Sequence, residues 1–216
     1  RIWQMIQSTL DGFEQVELPE VIEDQSIEAA FGPATRQAYL GAEAHGAHRI
    51  DDNHLLRTSL TVPMLLAARE RRDPELHLTA AGKVYRAGPG DAPSRTRLEA
   101  FHQAEILIVR KNLGEWDLMP RIEAILEMLF PGRPYRMEMG SYPFCERIWE
   151  IYIRWEGQWS SVLAWGRHKP EIVRALGRDP AQYSAIGAGL GLERLACLYY
   201  GIDDIRKVEA ARVDQP

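Results

Sequence analysis

Three arginines and a run of glycines carry the first sign of chemistry. Arg86 ends one apolar stretch, a Gly/Pro/Asp-rich segment follows, and Arg97 stands just before a second apolar stretch that begins at Phe101. Two cations around a hairpin, with an aromatic ring on the returning strand, suit a nucleotide. Guanidinium groups grip phosphates, and the ring offers a base a face to stack on. Further on, residues 183–206 read YSAIGAGLGLERLACLYYGIDDIR. Gly187, Gly189 and Gly191 alternate there, which clears one face of a strand for close approach of backbone or ligand. Arg194 falls in the first turn of the helix that follows, where a cation opposes the helix dipole and calls for a negative partner. Two readings stand: an anionic ligand over the glycine strand, or a glycine strand under a core helix with Arg194 paired to a carboxylate.

Period-two alternation predicts the neighbours of that strand. In 101–109, Phe101, Gln103, Glu105 and Leu107 share one face; His102, Ala104, Ile106 and Ile108 share the other. In 142–153, Tyr142, Phe144, Glu146, Ile148, Glu150 and Tyr152 share a face, against Cys145, Trp149, Ile151 and Ile153 on the core side. Two strands thus present aromatics with carboxylates on one side. Together with the glycine strand and Arg194 they outline a cleft, with carboxylates for an ammonium group or Mg²⁺ and arginines for phosphates. An exposed sheet face with solvated charges is the alternative.

The elements that must position these residues are legible in outline. Residues 1–11 carry Ile2, Met5, Ile6 and Leu10 on one helical face, with Gly12 as the stop. Residues 12–22 read as an edge or interface strand, because Pro19 cannot donate to a ladder. Residues 23–48 read as loop with short helices, 54–57 as a strand, 63–72 as a helix, 76–86 as strand, 88–94 as loop and 101–109 as a strong strand. A helix follows over 116–130, strands over 137–155 and 158–166, and a helix over 170–176. Irregular order and short turns argue for an α+β fold with a mostly antiparallel sheet. The 216 residues carry 45% hydrophobic and 26% charged residues and a net charge of −5. That is an ordinary globular composition without a bulk basic footprint for nucleic acid. No apolar run reaches membrane length. The two cysteines fit a reducing cytoplasm, and the six histidines fit no metal motif.

At this point the sequence resembles the class II aminoacyl-tRNA synthetases, over nearly its whole length. Motif 1 (about 1–22) shows as Gly12-Phe13, Val16 and Pro19, and motif 2 (about 82–109) as Arg86, Arg97 and Phe101. Motif 3 (about 184–206) shows as Gly189-Leu190-Gly191-Leu192-Glu193-Arg194. The strings KVYR, FHQAE, YPF, WGRHKPEIVRALGRDPAQYS and GLGLERLACLYYGIDDIR look most like the phenylalanyl α subunit, and IGAGLGLERL resembles the pyrrolysyl form. The resemblance implies a single catalytic domain over 1–216, an antiparallel sheet flanked by helices, and activation of an amino acid with ATP and Mg²⁺. It implies that Arg86 holds the α-phosphate and the carboxylate being activated, and that Arg97 and Arg194 hold the outer phosphates. Arg86 and Arg194 are the catalytic candidates. Phe101 stacks on adenine, Gly191 lies against ATP, and Glu150 contacts Mg²⁺ or ATP. Gln103 and Glu105 face the ammonium, while Tyr142, Phe144, Gly187 and Gly189 shape the substrate pocket. Motif 1 implies a homodimer through the first helix and the Pro19 strand.

The chain also departs from the family pattern. LLRTSLTVPMLL stands where the α subunit has His-Thr-Ser-Pro-x-Gln, so the family His and Gln are replaced, with Ser59, Leu60 and Leu65 nearby. Gly88 replaces an acidic residue, Tyr142 a phenylalanine, and Gly187 an alanine. A glycine at 187 enlarges the pocket floor, which points to a substrate larger or more polar than phenylalanine. No appended tRNA-binding module is recognisable. Transfer to tRNA therefore stands beside two alternatives: ligation to another acceptor, and a noncatalytic module that binds an amino acid or ATP. The chain begins at Arg1, so a fragment of a longer synthetase also remains open.

Overall fold

The computed structural model describes residues 1–33, 35–36, 47–86 and 93–208. Gly88, His45 and most of the 88–94 loop lie outside them, as does much of the 23–48 stretch. A seven-stranded sheet organises the chain, in the order β1-β4-β5-β9-β8-β7-β6. Its strands are β1 (Glu14–Gln15), β4 (Leu76–Tyr85), β5 (Ala100–Lys111), β6 (Tyr135–Gly140), β7 (Cys145–Trp155), β8 (Gln158–His168) and β9 (Tyr183–Gly191). Only β1 pairs in parallel, with β4; the other pairings are antiparallel. β2 (Val21–Glu23) and β3 (His54–Leu56) form a separate antiparallel ribbon. The expected α+β fold with an antiparallel sheet and flanking helices is therefore present.

Helices cover both faces, which explains the near-continuous apolar run of β5. On one face Ala104, Ile106, Ile108, Ile186, Ala188 and Trp165 meet α1 (Ile2–Gln7), α4 (Met119–Leu129) and α6 (Leu192–Tyr200). On the other, Leu78, Leu107, Val109 and Ala185 meet α2 (Asp24–Phe31), α3 (Thr61–Arg69) and α5 (Pro170–Ala175). The first helix is shorter than its apolar pattern suggests. Ile2, Ile6 and Leu10 are buried within this same chain, so an interface through α1 would use its other side.

The expected strand over 12–22 breaks into β1 and β2. Pro19 is exposed between them, and its carbonyl, with that of Leu18, accepts from Arg57 Nη1. Arg57 Nε donates to Lys83 O, so this buried cation ties the segment to β4. Most other boundaries moved by only a few residues. α4 begins at Met119 rather than 116, and α3 begins two residues before Pro63, which a first helical turn tolerates.

α6 ends on Gly201, at φ 69° and ψ 32°, where the Ile202 N–H reaches Cys197 O at 2.8 Å. A Cβ at Gly201 meets nothing within 4 Å, so its only cost is the left-handed backbone. Gly201→Ala is expected to destabilise the chain by about 1 kcal/mol in urea unfolding; no change would remove this cap from the account.

Candidate functional site

On the α2/α3/α5 side of the sheet the core leaves a cleft of about 840 Å³. Its floor follows from register. Gln103 pairs with Gly191, Glu105 with Gly189 and Leu107 with Gly187; across the next ladder, Ala164 pairs with Gly189 and Gly166 with Gly187. Small residues on the cleft face of β8 and β9 keep this floor low between β5 and β7.

At one end stand the basic residues. Arg86, Arg97 and Arg194 all line the cleft, with Phe101 beside them. The Arg86 guanidinium lies over the Phe101 ring, 5.1 Å from its centroid, and its Nε donates to Thr58 O. Arg194 is held by two carbonyls rather than a carboxylate: Nη1 donates to Ser161 O and Nη2 to Thr96 O, while its buried Nε has no hydrogen-bond partner among the described residues. Burial pushes the Arg194 guanidinium down, and repulsion from Arg86 and Arg97 pushes it further. Among the described residues neither Arg86 nor Arg194 forms a salt bridge. Converging cations, one of them held on carbonyls, suit a polyanion.

Gln103 and Glu105 lie further along the floor. Glu105 accepts from Thr61 Oγ1 at 3.0 Å and from Gln103 Nε2 at 2.9 Å, while Gln103 Oε1 has no partner among the described residues. Burial pushes the Glu105 carboxyl up to about 8, against the two hydrogen bonds that lower it. Gly189 keeps this pair in place, because a Cβ there would stand 2.8 Å from Gln103 Nε2. Tyr142, Phe144 and Gly187 line the remaining wall, with the Tyr142 and Phe144 rings stacked at 5.6 Å.

Glu150 stands beside the cleft rather than in its wall. Its Oε2 accepts from Tyr152 Oη at 3.0 Å and Ser161 Oγ at 2.9 Å, and its charge is felt at Arg194. The described residues hold no group of three or more His, Cys, Asp or Glu placed to bind a metal ion. Glu150 is thus a single carboxylate with Oε1 its less engaged oxygen, a donor suited to a shared contact with a hard cation rather than to a complete metal site.

Several residues escaped the sequence reading, and two readings need correction. Cys145 was expected on the core side with Trp149, but a bulge between Cys145 and Arg147 turns it to the cleft. Gly187 was expected to enlarge the pocket floor, yet His168 takes that room. A Cβ at Gly187 would stand 2.8 Å from His168 Nε2. Alternation in β8 puts Ala164, Gly166 and His168 on one face, which was a usable signal. Thr61 lies in the stretch where the family His and Gln are replaced; Ser59 also lines the cleft, whereas Leu60 and Leu65 are fully buried in core. Glu193, adjacent to Arg194, accepts from the His102 N–H and meets His102 Nδ1, both at 2.7 Å. It locks α6 to β5 and so fixes where Arg194 starts.

Comparison with known proteins identifies the family. The family profile for the class II core domain (F) of tRNA synthetases matches residues 8–214. The chain is similar to the phenylalanine–tRNA ligase alpha subunit of Synechocystis sp., 36% identical over 160 residues, which cover 74% of this chain and 47% of that protein. The alpha subunit of Prochlorococcus marinus (strain NATL2A) is 33% identical over 205 residues, 91% of this chain and 57% of its own. That of Nostoc punctiforme is 35% identical over 162 residues, 75% and 48%. The chain thus spans about half the length of the curated relatives it matches. A seven-stranded, mostly antiparallel platform, a cationic cleft end and a match over 8–214 lead to one conclusion: the chain belongs to the class II tRNA synthetase core domain family.

Proposed function

We propose that the cleft activates an amino acid with ATP and that residues 1–216 work as a single catalytic unit. The observation that carries this reading is the convergence of Arg86, Arg97 and Arg194 at one end of a cleft whose floor continues into Gln103 and Glu105. Class II synthetases use ATP and Mg²⁺. Here Arg86 holds the α-phosphate and the attacking carboxylate, and Arg97 and Arg194 hold the outer phosphates. Phe101 takes the adenine and Gly191 the nucleotide's near edge. Gln103 Oε1 and Glu105 receive the ammonium. Gly189 keeps them clear, and Tyr142, Phe144 and Gly187 border the side chain.

The step balances without a side-chain nucleophile. A carboxylate oxygen of the amino acid bonds to the α-phosphorus, the bond from that phosphorus to the bridging oxygen breaks, and pyrophosphate leaves. Orientation and charge neutralisation supply the rate. Glu150 would give one carboxylate to a Mg²⁺ bound with the nucleotide, and that ion would supply charge neutralisation for the departing pyrophosphate. Because the relatives are named for charging tRNA, tRNA is the proposed acceptor: its hydroxyl attacks the carbonyl carbon and AMP leaves. A homodimer in the cytoplasm completes the reading. Two free, buried cysteines suit that compartment, and among the described residues no helix is long and apolar enough to cross a membrane.

Exchange of labelled pyrophosphate into ATP, run across a panel of amino acids, tests the activation. Exchange with at least one amino acid is expected; none at high enzyme concentration overturns it. Charging assays with total tRNA test the acceptor, and light scattering the dimer.

A further inference from the structure

His168 stands at the far end of the cleft from the arginines. Gly166 pairs with Gly187, and Cys145 with His168. The imidazole therefore lies one same-face position beyond Gly166, away from the Gln103–Gly191 pair. It lines the cleft and is 3% exposed, and neither ring nitrogen meets hydrogen-bond geometry with any described residue. The Phe144 carbonyl only tempers the effect of burial, which pushes the ring down to about 4. At neutral pH the ring is thus uncharged, with one N–H donor and one lone-pair acceptor. Among the described residues, burial and the Phe144 carbonyl alone account for its shift, with no charged group contributing. The Phe144 ring lies 5.9 Å away, and the Cys145 thiol is pushed up to about 12 by burial. A desolvated polar group without a partner is costly, and a ligand that supplies the partner recovers the cost.

We infer that the amino acid taken by this cleft has a side chain ending in a neutral hydrogen-bonding group, a hydroxyl or a carboxamide, that meets His168. The inference rests on the reading of the cleft as an amino-acid-activating site. An apolar terminus would leave the buried ring with only the Phe144 carbonyl to engage one of its nitrogens, outside strict hydrogen-bond geometry, and nothing for the other among the described residues. A charged terminus would face an uncharged ring, with Glu105 already engaged by Thr61 and Gln103. Gly187 belongs to the same device, since a larger residue there would displace the imidazole.

Near-isosteric pairs test this: tyrosine against phenylalanine, glutamine against methionine, threonine against valine. Pyrophosphate exchange is measured with the wild-type chain and with His168→Leu, with circular dichroism to confirm folding. The polar member of at least one pair is expected to win by about 10- to 100-fold in kcat/KM in the wild type. His168→Leu is expected to collapse that ratio by weakening the polar member. A wild-type preference for the apolar member in every pair, or an unchanged ratio in a folded His168→Leu, overturns the inference. The wild-type ratios stand even if the variant does not fold. Calorimetric binding of the same pairs separates this inference from the activation chemistry. Polar-selective binding without exchange would retain the pocket and sink the chemistry; binding without such selectivity, or none, sinks the pocket.

Discussion

Arg194→Ala is expected to lower amino-acid-dependent pyrophosphate exchange by about 10³-fold, the loss typical of removing a preorganised group that stabilises developing charge. The fold should change little, because two opposing effects accompany the substitution. Ser161 O and Thr96 O lose a donor, while Arg86 and Arg97 lose a like-charged neighbour. Thermal unfolding makes the distinction. ATP with Mg²⁺, at about 100 times its Kd, stabilises a binding protein by roughly 2.7 kcal/mol. The wild-type chain should show that rise in Tm, and Arg194→Ala should lose most of it. Exchange within tenfold of wild type in the variant would remove Arg194 from the phosphate site.

The second large effect is a dependence of stability on pH. The Glu105 carboxyl rises from 4.5 to about 8 on folding, through burial. Between those values the native chain holds a proton that the unfolded chain lacks, so stability falls as pH rises through the window. His168 acts in the opposite sense. Its folded value of about 4 lies below its ordinary 6.5, so stability rises with pH over that interval. The two slopes offset each other below pH 6.5. Above it, among the described residues, Glu105 dominates up to pH 8, and urea unfolding should show a loss of about 2 kcal/mol between pH 6.5 and 8. Glu105→Gln should flatten that limb. An equally steep limb in the variant would contradict the assignment. In the proposed reaction the same carboxyl would tie stability to binding, because an ammonium beside it favours the ionised form. KM for the amino acid should therefore fall as pH rises towards 8 in the wild type and lose that dependence in Glu105→Gln.

Local patterns in the sequence carried much of the fold. Alternation in 101–109 separated Gln103 and Glu105 from Ala104 and Ile106 because β5 runs without a bulge, and the alternate glycines of β9 marked the same side of the sheet. Alternation failed at Cys145 because a bulge adds a residue, and composition does not announce one. Gly187 gave a wrong impression of space for a different reason. The atom that fills it, His168 Nε2, comes from another strand nineteen residues earlier. Likewise Thr61 reaches Glu105 across forty-four positions. Such contacts depend on where separate elements dock, which residue type and local spacing do not encode. The carbonyl grip on Arg194 is similar: the sequence asked for a negative partner, and the fold provides two backbone oxygens from distant segments.

In the proposed reaction this cleft joins an amino-acid carboxylate to the α-phosphorus of ATP. The most direct measurement uses an amino acid labelled with ¹⁸O in its carboxylate, together with ATP, Mg²⁺ and hydroxylamine as a general acceptor. Mass spectrometry then reads the AMP released. If the carboxylate attacks the α-phosphorus and hydroxylamine later attacks the carbonyl carbon, AMP carries one ¹⁸O. AMP released without label, or no AMP that depends on the amino acid, would contradict the account.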